Sequence, residues 1–456
     1  MGPTVRSSSA MRRTFDPGSN APRGSLSAGA LLVAAIALAW SATLLLDFRV
    51  ALTLLWVLGL GAAIVGLRYP RVGLLGIGML CTLHGFAAPL LLQGGLWRWN
   101  TVNYLLVFVA LLFWPYLLRV GRSQVGVLLA FVLLLGLEIL LGPDPAAGIQ
   151  IVLSVVAVFG LLVYFQRVAS DAAAWSWLAV VTAVLAAGGG AAFLLRQGTL
   201  PAVNPNAWSY VPLTALFATS LAFAASESAP RHGSALALLA AINAVWVFLS
   251  GSRGNILTAL VCLALVIASM HLRRALVWGL AAILASTLVL SEFTNLQERA
   301  IERLGLLTDS RQSLTVRTSG RSELALAAWD MFMDRPFGVG TGGFTTYWAD
   351  PQAPAELSHF RQTHPYHAAH SAWMRTLAEN GLPGILLLAM YAGSFTVSGW
   401  RNRDRRLLKV GVLVTAVLGV AWLVNEFWNP GLWLLAAGAT VLLDAGFCGA
   451  RPAPRR

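Results

Sequence analysis

The stretch 149-IQIVLSVVAVFGLLVYF-165 decides the fold class of this chain. It contains no charged residue, and a helix needs about 17–25 mostly apolar residues to cross the hydrocarbon core of a bilayer. Backbone groups inside lipid must bond within their own segment, so a run of this kind is expected to be helical. The stretch therefore predicts a membrane-spanning helix.

Composition extends this prediction to most of the chain. Of the 456 residues, 57% are hydrophobic and 11% are charged, whereas a soluble domain carries about 25% charged residues. Some of the 14 apolar runs are short, and two are compatible with re-entrant or interfacial segments. The runs lie at 29–46, 50–67, 72–92, 101–118, 125–141, 149–165, 174–195, 211–225, 234–250, 255–270, 275–290, 382–397, 407–424 and 430–446. We therefore predict an all-α polytopic membrane protein with about 12–14 transmembrane helices and one large, partly helical loop.

The distribution of arginine predicts the orientation. The net charge is +13, and Lys409 is the only lysine. With a cytoplasmic N-terminus, most arginines fall in cytoplasmic segments, as the positive-inside rule requires. The short loops on the other side then hold Arg49, Arg98, Arg196 and Arg253. The predicted segments are a disordered cytoplasmic tail at 1–28, membrane helices at 29–290, an extracytoplasmic loop at 291–381, further membrane helices at 382–446 and a basic cytoplasmic tail at 447–456.

The long loop shows several local patterns. An amphipathic stretch lies near 295–307, and a second helix is predicted to start at Ser319-Gly320-Arg321 and to run to Asp334, because Pro336 ends it. The glycines of 338–343 predict a flexible turn, and a further helix is expected at about 368–380. Short polar turns lie on the same side of the membrane, at 97–100, 196–210, 251–254 and 425–430.

Arginines of this face are candidate anion-binding groups, because a guanidinium can clamp a phosphate with two parallel hydrogen bonds. Arg321 is the strongest candidate in the loop, since a helix N-terminus also favours an anion. Arg253 lies between two glycines, which permit close approach of a ligand to the backbone. The alternatives are a solvated basic surface near anionic headgroups for the loop arginines and snorkelling to the interface for Arg253. The loop arginines are Arg299, Arg303, Arg311, Arg317, Arg321, Arg335, Arg361 and Arg375.

Four of the seven histidines lie within twelve residues of the loop: His359, His364, His367 and His370. The sequence disfavours a metal site here, because Pro365 interrupts the helix that would align these histidines. A repeated spacing of three residues also drifts off one face of a helix. A general base needs a histidine whose neutral ring nitrogen faces an acceptor hydroxyl. A purely structural histidine is the third possibility for each.

Two absences bear on the chemistry. Cys81, Cys262 and Cys448 lie far apart, so neither a disulfide framework nor a zinc pair is predicted. The loop has no paired aspartates of the kind that hold a divalent metal on a sugar pyrophosphate. If the protein binds a pyrophosphate, arginines must neutralise it, and we expect no metal, no cofactor and no nucleic acid.

At these residues the chain resembles the O-antigen ligase and O-antigen polymerase superfamily of bacterial inner-membrane glycosyltransferases. The resemblance covers roughly 245–388, in one order along the chain and on one side of the membrane. The features that carry it are Ser252-Arg253-Gly254; Ser319-Gly320-Arg321 followed by Trp329; Arg335-Pro336-Phe337-Gly338-Val339-Gly340; and His370-Ser371, nine residues, then Gly381-Leu382-Pro383-Gly384.

The resemblance implies inverting, metal-independent transfer of a glycan from undecaprenyl pyrophosphate to the lipid A–core oligosaccharide, on the periplasmic face of the inner membrane. By position, Arg253, Arg321 and His370 match the family's essential residues. We expect Arg311, Arg317, Arg361, His364 and His367 to contribute to substrate binding, and the protein to be a monomer in contact with membrane lipids.

Three alternatives remain open from the sequence. An O-antigen polymerase or a protein O-oligosaccharyltransferase would use the same lipid-linked donor with another acceptor. A transporter would place ionisable residues near span centres and show an internal repeat. His84 and Glu138 are the only such residues, and no repeat is visible.

Overall fold

The structure is a computed structural model and describes most of the chain. It covers residues 25–42, 47–90, 97–117, 122–195, 205–225, 233–268, 301, 305, 313–318, 320–349, 368–402, 404–427 and 429–449. Every regular element within these ranges is an α-helix apart from single turns.

We number the described helices α1 to α17 in chain order. Their bounds are α1 Ser25–Ser41, α2 Phe48–Val65, α3 Pro70–Leu90, α4 Trp97–Leu112, α5 Trp114–Leu117, α6 Arg122–Ile139, α7 Pro145–Gln166, α8 Ala172–Leu195, α9 Pro205–Ala225, α10 Gly233–Leu249, α11 Arg253–Ala268, α12 Leu314–Thr318, α13 Arg321–Asp334, α14 Gly343–Ala349, α15 Ala372–Arg401, α16 Arg405–Val424 and α17 Pro430–Gly449.

The all-α polytopic fold is confirmed. Each apolar run overlaps a helix except 275–290, which lies outside the described residues, as does most of 291–312. Six helices contain a stretch long and apolar enough to cross a membrane, and other apolar helices are shorter. The six stretches are Phe48–Val65, Pro145–Gln166, Ala172–Phe193, Ala207–Ala224, Ala372–Arg401 and Leu407–Val424.

Two predicted turns are wrong in part, because helices extend into them. Trp97–Asn100 form the first turn of α4 rather than a loop. The predicted loop before Tyr210 ends earlier, since α9 already begins at Pro205, a residue whose fixed φ suits the first turn of a helix. Tyr210 therefore sits on a packed helix.

The middle of the bundle is formed by α9 and α17. Nearly all of Ala207–Ala224 is buried, and every described side chain of α17 from Pro430 to Leu443 is buried as well. α9 packs against α3, α8, α10 and α11, and α17 packs against α7, α9 and α16. Because these two helices are apolar all round, they suit the interior of a membrane protein.

Peripheral helices expose one apolar side each. Leu54 and Val57 of α2, Leu129 and Leu133 of α6, and Leu386 of α15 are exposed leucine or valine side chains on spanning or apolar helices. Exposure of this kind is unfavourable in water but is expected where a helix faces lipid.

Candidate functional site

One end of the bundle brings the candidate residues together. We call this end the site face, and it is formed by the described residues of 138–144, 205–210, 250–255, 313–321, 338–343, 368–381 and 425–429. Hydrogen bonds join these segments to one another. The backbone N–H of Ala372 donates to the carbonyl of Asn425 at 2.9 Å, and that of Thr341 donates to the carbonyl of Glu138 at 3.3 Å.

Arg253 is the first residue of α11 and is half-buried at the site face. Its guanidinium Nη1 donates to the backbone carbonyl of Arg317, so it contacts the loop segment as well as the membrane helices. Its neighbour Gly254 does not leave room for a ligand, because a Cβ there would lie 2.4 Å from the Cβ of Val424. The expectation that both flanking glycines admit a ligand is therefore wrong for Gly254, which instead lets α11 pack against α16.

Arg321 begins α13 and is half-buried next to α9. Burial lowers the pKa of its guanidinium from the usual value, and its electrostatic interaction with the Tyr210 phenol opposes that shift. A guanidinium nevertheless stays protonated at neutral pH. Within the described part of the chain it makes no hydrogen bond or ion pair. Among the described residues, no carboxylate pairs with the positive charge of Arg321.

The first turn of α13 is partly occupied by the protein itself. Thr318 Oγ1 accepts the backbone N–H of Ser322 at 3.1 Å. The buried carboxylate of Glu323 lies in the same turn, where a negative charge already complements the helix dipole, and it accepts a hydrogen bond from Thr315. An anion at this end would therefore be held by the Arg321 side chain more than by the backbone of the helix.

His370 precedes α15 instead of lying on it. The helix was expected from about Ala368, but it begins at Ala372 because the Ser371 side chain caps it, accepting the N–H of Met374 at 3.2 Å. His370 has φ = 54°, the only positive value among described non-glycine residues. Its N–H donates to Glu426 Oε1 at 2.8 Å. The histidine is thereby fixed in a strained turn at the site face.

A buried ionic group supports this turn. Arg375 Nε lies 3.1 Å from Glu379 Oε1, and its Nη1 pairs with Glu426 Oε2. All three side chains are at most 3% exposed. Removing buried charges from water costs several kcal/mol each, roughly, unless they are paired and hydrogen-bonded. Because Glu426 also accepts the His370 N–H, the group connects the histidine turn to α15.

The glycine-rich segment 338–343 forms hydrogen bonds to the same group, which the sequence did not predict; the flexibility expected of this turn stays a prediction. Glu379 accepts the backbone N–H of Gly342 at 3.0 Å and that of Phe344 at 3.1 Å. Gly338, Gly340 and Gly342 have φ between 91° and 94°, a region that favours glycine. The segment therefore adopts one defined path across the site face.

A network of uncharged side chains lines the centre of the site face. The Tyr210 hydroxyl donates to Asn425 Oδ1 at 2.9 Å, and Asn425 Nδ2 donates to Asn255 Oδ1 at 2.8 Å. Asn255 Nδ2 in turn donates to the hydroxyl of Ser209. Tyr210 also interacts electrostatically with Arg321 and with Glu426, the residue that accepts the His370 N–H. Tyr210 therefore connects the surroundings of Arg321 with those of His370.

The site face therefore contains Arg253, Arg317 and Arg321 together with His370. Arg317 is half-buried and is joined to Arg253 through its carbonyl. The other candidates, Arg311, Arg361, His364 and His367, lie outside the described residues.

Sequence reasoning missed the groups that hold the site. Glu379 and Glu426 carried no motif, and Arg375 was grouped with the loop arginines. One local signal existed, because Arg375 and Glu379 are four residues apart, the spacing of an ion pair on a helix. Glu426 is separated from Arg375 by 51 residues, so local spacing does not show that pair.

Comparison with known proteins agrees with these features. No curated protein matches the chain significantly. Residues 236–389 match a family model described as O-Antigen ligase, and this segment contains α11, α13, the glycine-rich segment and the histidine turn. Through residues 236–389, the polytopic chain is similar to the O-antigen ligase family.

Proposed function

We propose that this protein is an O-antigen ligase, which transfers O-antigen polysaccharide from undecaprenyl pyrophosphate to the lipid A–core oligosaccharide. The observation that carries the proposal is the meeting of Arg253, Arg321 and His370 at one end of a bundle of apolar helices, inside the segment that matches the family. A donor with a lipid tail needs such a position, where apolar helices end and fixed charges begin.

Arginines would neutralise the pyrophosphate of the donor. Arg321 is the better supported of the two, because it makes no hydrogen bond or ion pair with the described residues. Arg253 already donates to the Arg317 carbonyl and contributes its charge from the adjacent helix end. As the bond between C1 and the pyrophosphate oxygen breaks, these charges stabilise the negative charge that develops on that oxygen.

His370 would act as the general base. In the proposed step its ring nitrogen takes the proton of the acceptor hydroxyl, the hydroxyl oxygen bonds to C1, and the electron pair of the broken bond leaves with undecaprenyl pyrophosphate. Attack from the face opposite the leaving group inverts the anomeric centre. The strained turn at His370 fits this role, since strained backbone is concentrated at functional sites.

The scheme needs no metal, and an in vitro assay tests that part. Purified protein, lipid-linked glycan and lipid A–core acceptor are incubated with and without a strong chelator, and product is measured on a gel. Equal rates are expected. Activity that is lost with chelator and restored by Mg²⁺ contradicts the metal-free scheme.

Complementation in cells tests the function itself. In a strain lacking its own copy of the gene, we expect core without O-antigen and accumulation of lipid-linked chains, both reversed by the wild-type gene. Core carrying a single repeat would instead indicate a polymerase. Arg253→Ala, Arg321→Ala and His370→Ala are expected to fail in complementation while the proteins accumulate in the membrane. Wild-type transfer by His370→Ala would remove the base assignment.

Location and assembly are part of the same proposal. We propose the inner membrane, with the site face towards the periplasm, and a monomer as the working unit. Arg311, Arg317, Arg361, His364 and His367 are proposed to help bind the donor or the phosphates of the acceptor core.

A further inference from the structure

Helix α13 has an apolar side that is exposed although the helix lies outside the membrane-spanning segments. Leu326 is 56% exposed, Trp329 is 50% exposed and Met333 is 61% exposed. Their spacing of three and four residues places them on one side of the helix, and the exposed Asp330 and Asp334 lie along one edge of that side. Leu324, Ala327 and Ala328 on the other side are buried against α14 and α15.

Both ends of α13 lie at the site face. At its start, Arg321 interacts electrostatically with Tyr210, near the beginning of α9. Just after its end, the Pro336 carbonyl accepts the backbone N–H of Leu382 at 2.9 Å, where the membrane part of α15 begins. A helix of 14 residues is about 21 Å long. Because its first residue interacts electrostatically with the start of α9 and the segment after its end contacts α15, α13 runs along the site face and does not project away from it.

The exposed side of α13 continues into a surface that faces lipid. Phe337, three residues beyond the helix, is 78% exposed, and its carbonyl carbon lies 2.5 Å from the position that a Cβ on Gly381 would occupy. Next to Gly381, Leu382 begins an exposed stripe along α15 that continues with Leu386 and Met390. α15 contains a candidate membrane span, so this stripe is the part of the helix expected to contact lipid.

We propose that α13 is an interfacial helix, with Leu326, Trp329, Met333 and the following Phe337 inserted into the lipid of the leaflet at the site face. This set of four side chains is called the α13 face below. The occupant we infer is lipid and not a protein partner, because the α13 face is continuous with the lipid-facing stripe of α15. Tryptophan and phenylalanine also favour the interfacial region of a bilayer.

The proposal has a consequence for the site. A helix anchored in this way keeps its first residue, Arg321, at the depth of the lipid headgroups. The inference needs only a membrane protein with this geometry, so it stands independently of the proposed reaction.

Spin-label accessibility in proteoliposomes tests the proposal. Cys81, Cys262 and Cys448 are first replaced by alanine, and single cysteines at Trp329 or Met333 are labelled with a nitroxide. The vesicles contain phosphatidylethanolamine and phosphatidylglycerol. Collision rates with oxygen, which concentrates in lipid, are compared with those of a water-soluble nickel chelate. Leu386→Cys is the lipid-facing control. Asp334→Cys is the water-facing control, because Asp334 is exposed and lies about 100° around the helix from Met333.

Labels at 329 and 333 are expected to resemble the label at 386, with more frequent collisions with oxygen than with nickel. The label at 334 is expected to show the opposite order. Nickel access at 329 and 333 equal to that at 334 overturns the proposal in favour of a water-exposed surface. Labels that neither reagent reaches overturn it in favour of a protein surface.

The unmodified chain gives a second measurement that does not depend on cysteine variants. Vesicles with a photoactivatable phospholipid are irradiated, and lipid adducts are mapped by mass spectrometry. We expect adducts on Leu326, Trp329 or Met333 as well as on the α15 stripe. Adducts on α15 without any on α13 overturn the proposal.

Discussion

At the residue scale, His370 combines a strained backbone conformation with an imidazole for which we propose a chemical role. A non-glycine residue in the left-handed region costs about 1–2 kcal/mol. The cost is tolerated here because Glu426 accepts the His370 N–H and Ser371 caps the helix that follows. The imidazole therefore lies on the turn that precedes α15 and not within the packed helix. Strain of this kind is expected where position matters more than stability.

Substitutions at His370 distinguish the effect of its backbone strain on stability from the effect of its imidazole on transfer. Both His370→Gly and His370→Ala are expected to lose transfer. His370→Gly should be about 1 kcal/mol more stable than His370→Ala, because glycine adopts φ = 54° without the Cβ penalty. Thermal unfolding of the purified proteins in detergent measures the difference. A His370→Ala protein as stable as His370→Gly would contradict the strained geometry.

Arg375 is a structural cation between two buried carboxylates. Arg375→Met leaves Glu379 and Glu426 without their counter-charge and should destabilise the protein by about 3–5 kcal/mol. Adding Glu426→Gln should cost less than the sum of the single changes, since the two residues contact each other. Arg401→Met, at the exposed end of the same helix, is the matched control. If Arg375→Met and Arg401→Met unfold alike in thermal unfolding, the buried pairs do not stabilise the fold.

At the element scale, the break in α15 joins the loop to a membrane helix. Gly381 has φ = 58° and ψ = −150°, a combination that is essentially restricted to glycine. A Cβ there would lie 2.1 Å from the Pro336 carbonyl oxygen. Gly381 therefore permits both the change of direction in α15 and the close passage of the segment that follows α13.

Alanine at Gly381 should destabilise the protein by about 3 kcal/mol and reduce transfer, because it combines backbone strain with a clash. Gly393 is the control on the same helix, since a Cβ there meets no atom within 4 Å. Gly393→Ala should be neutral or stabilising by about 1 kcal/mol at most. Thermal unfolding and the transfer assay measure both variants. Equal behaviour of the two variants would show that the break carries no conformational restriction.

The elements differ in how far sequence could predict them. α13 was predicted to start at Ser319-Gly320-Arg321 and to end at Asp334, close to its observed bounds, because a proline after the helix and an acidic first turn are local signals. The hydrogen bonds that hold the segment 338–343 were not predicted. Glycine alone does not show whether a turn is fixed, and here the order comes from Glu379 and from Glu138, whose carbonyl accepts the Thr341 N–H.

At the scale of the whole molecule, long-range contacts assemble the site. Asn380 Nδ2 donates to Glu138, which is 242 residues away in sequence, and Asn425 bonds Asn255 across 170 residues. Such pairs depend on which helices become neighbours, and a single sequence does not specify that. Composition was enough for the membrane fold, and local motifs singled out Arg253, Arg321 and His370, whose roles stay predictions. The groups that fix their geometry needed the packed bundle.

The orientation of the whole bundle is the last property that the charges predict. The site face should be extracytoplasmic, because Arg122 and Arg167 lie at the ends of α6 and α7 opposite residues 138–144, and positive segments are retained in the cytoplasm. Single cysteines at Thr346 and Asp404, in a chain lacking the three native cysteines, report on the two ends, since both positions are exposed. A membrane-impermeant maleimide should label Thr346→Cys in intact spheroplasts and Asp404→Cys after lysis alone. The reverse pattern would place the site face in the cytoplasm, and the proposed transfer to a periplasmic acceptor would then be impossible.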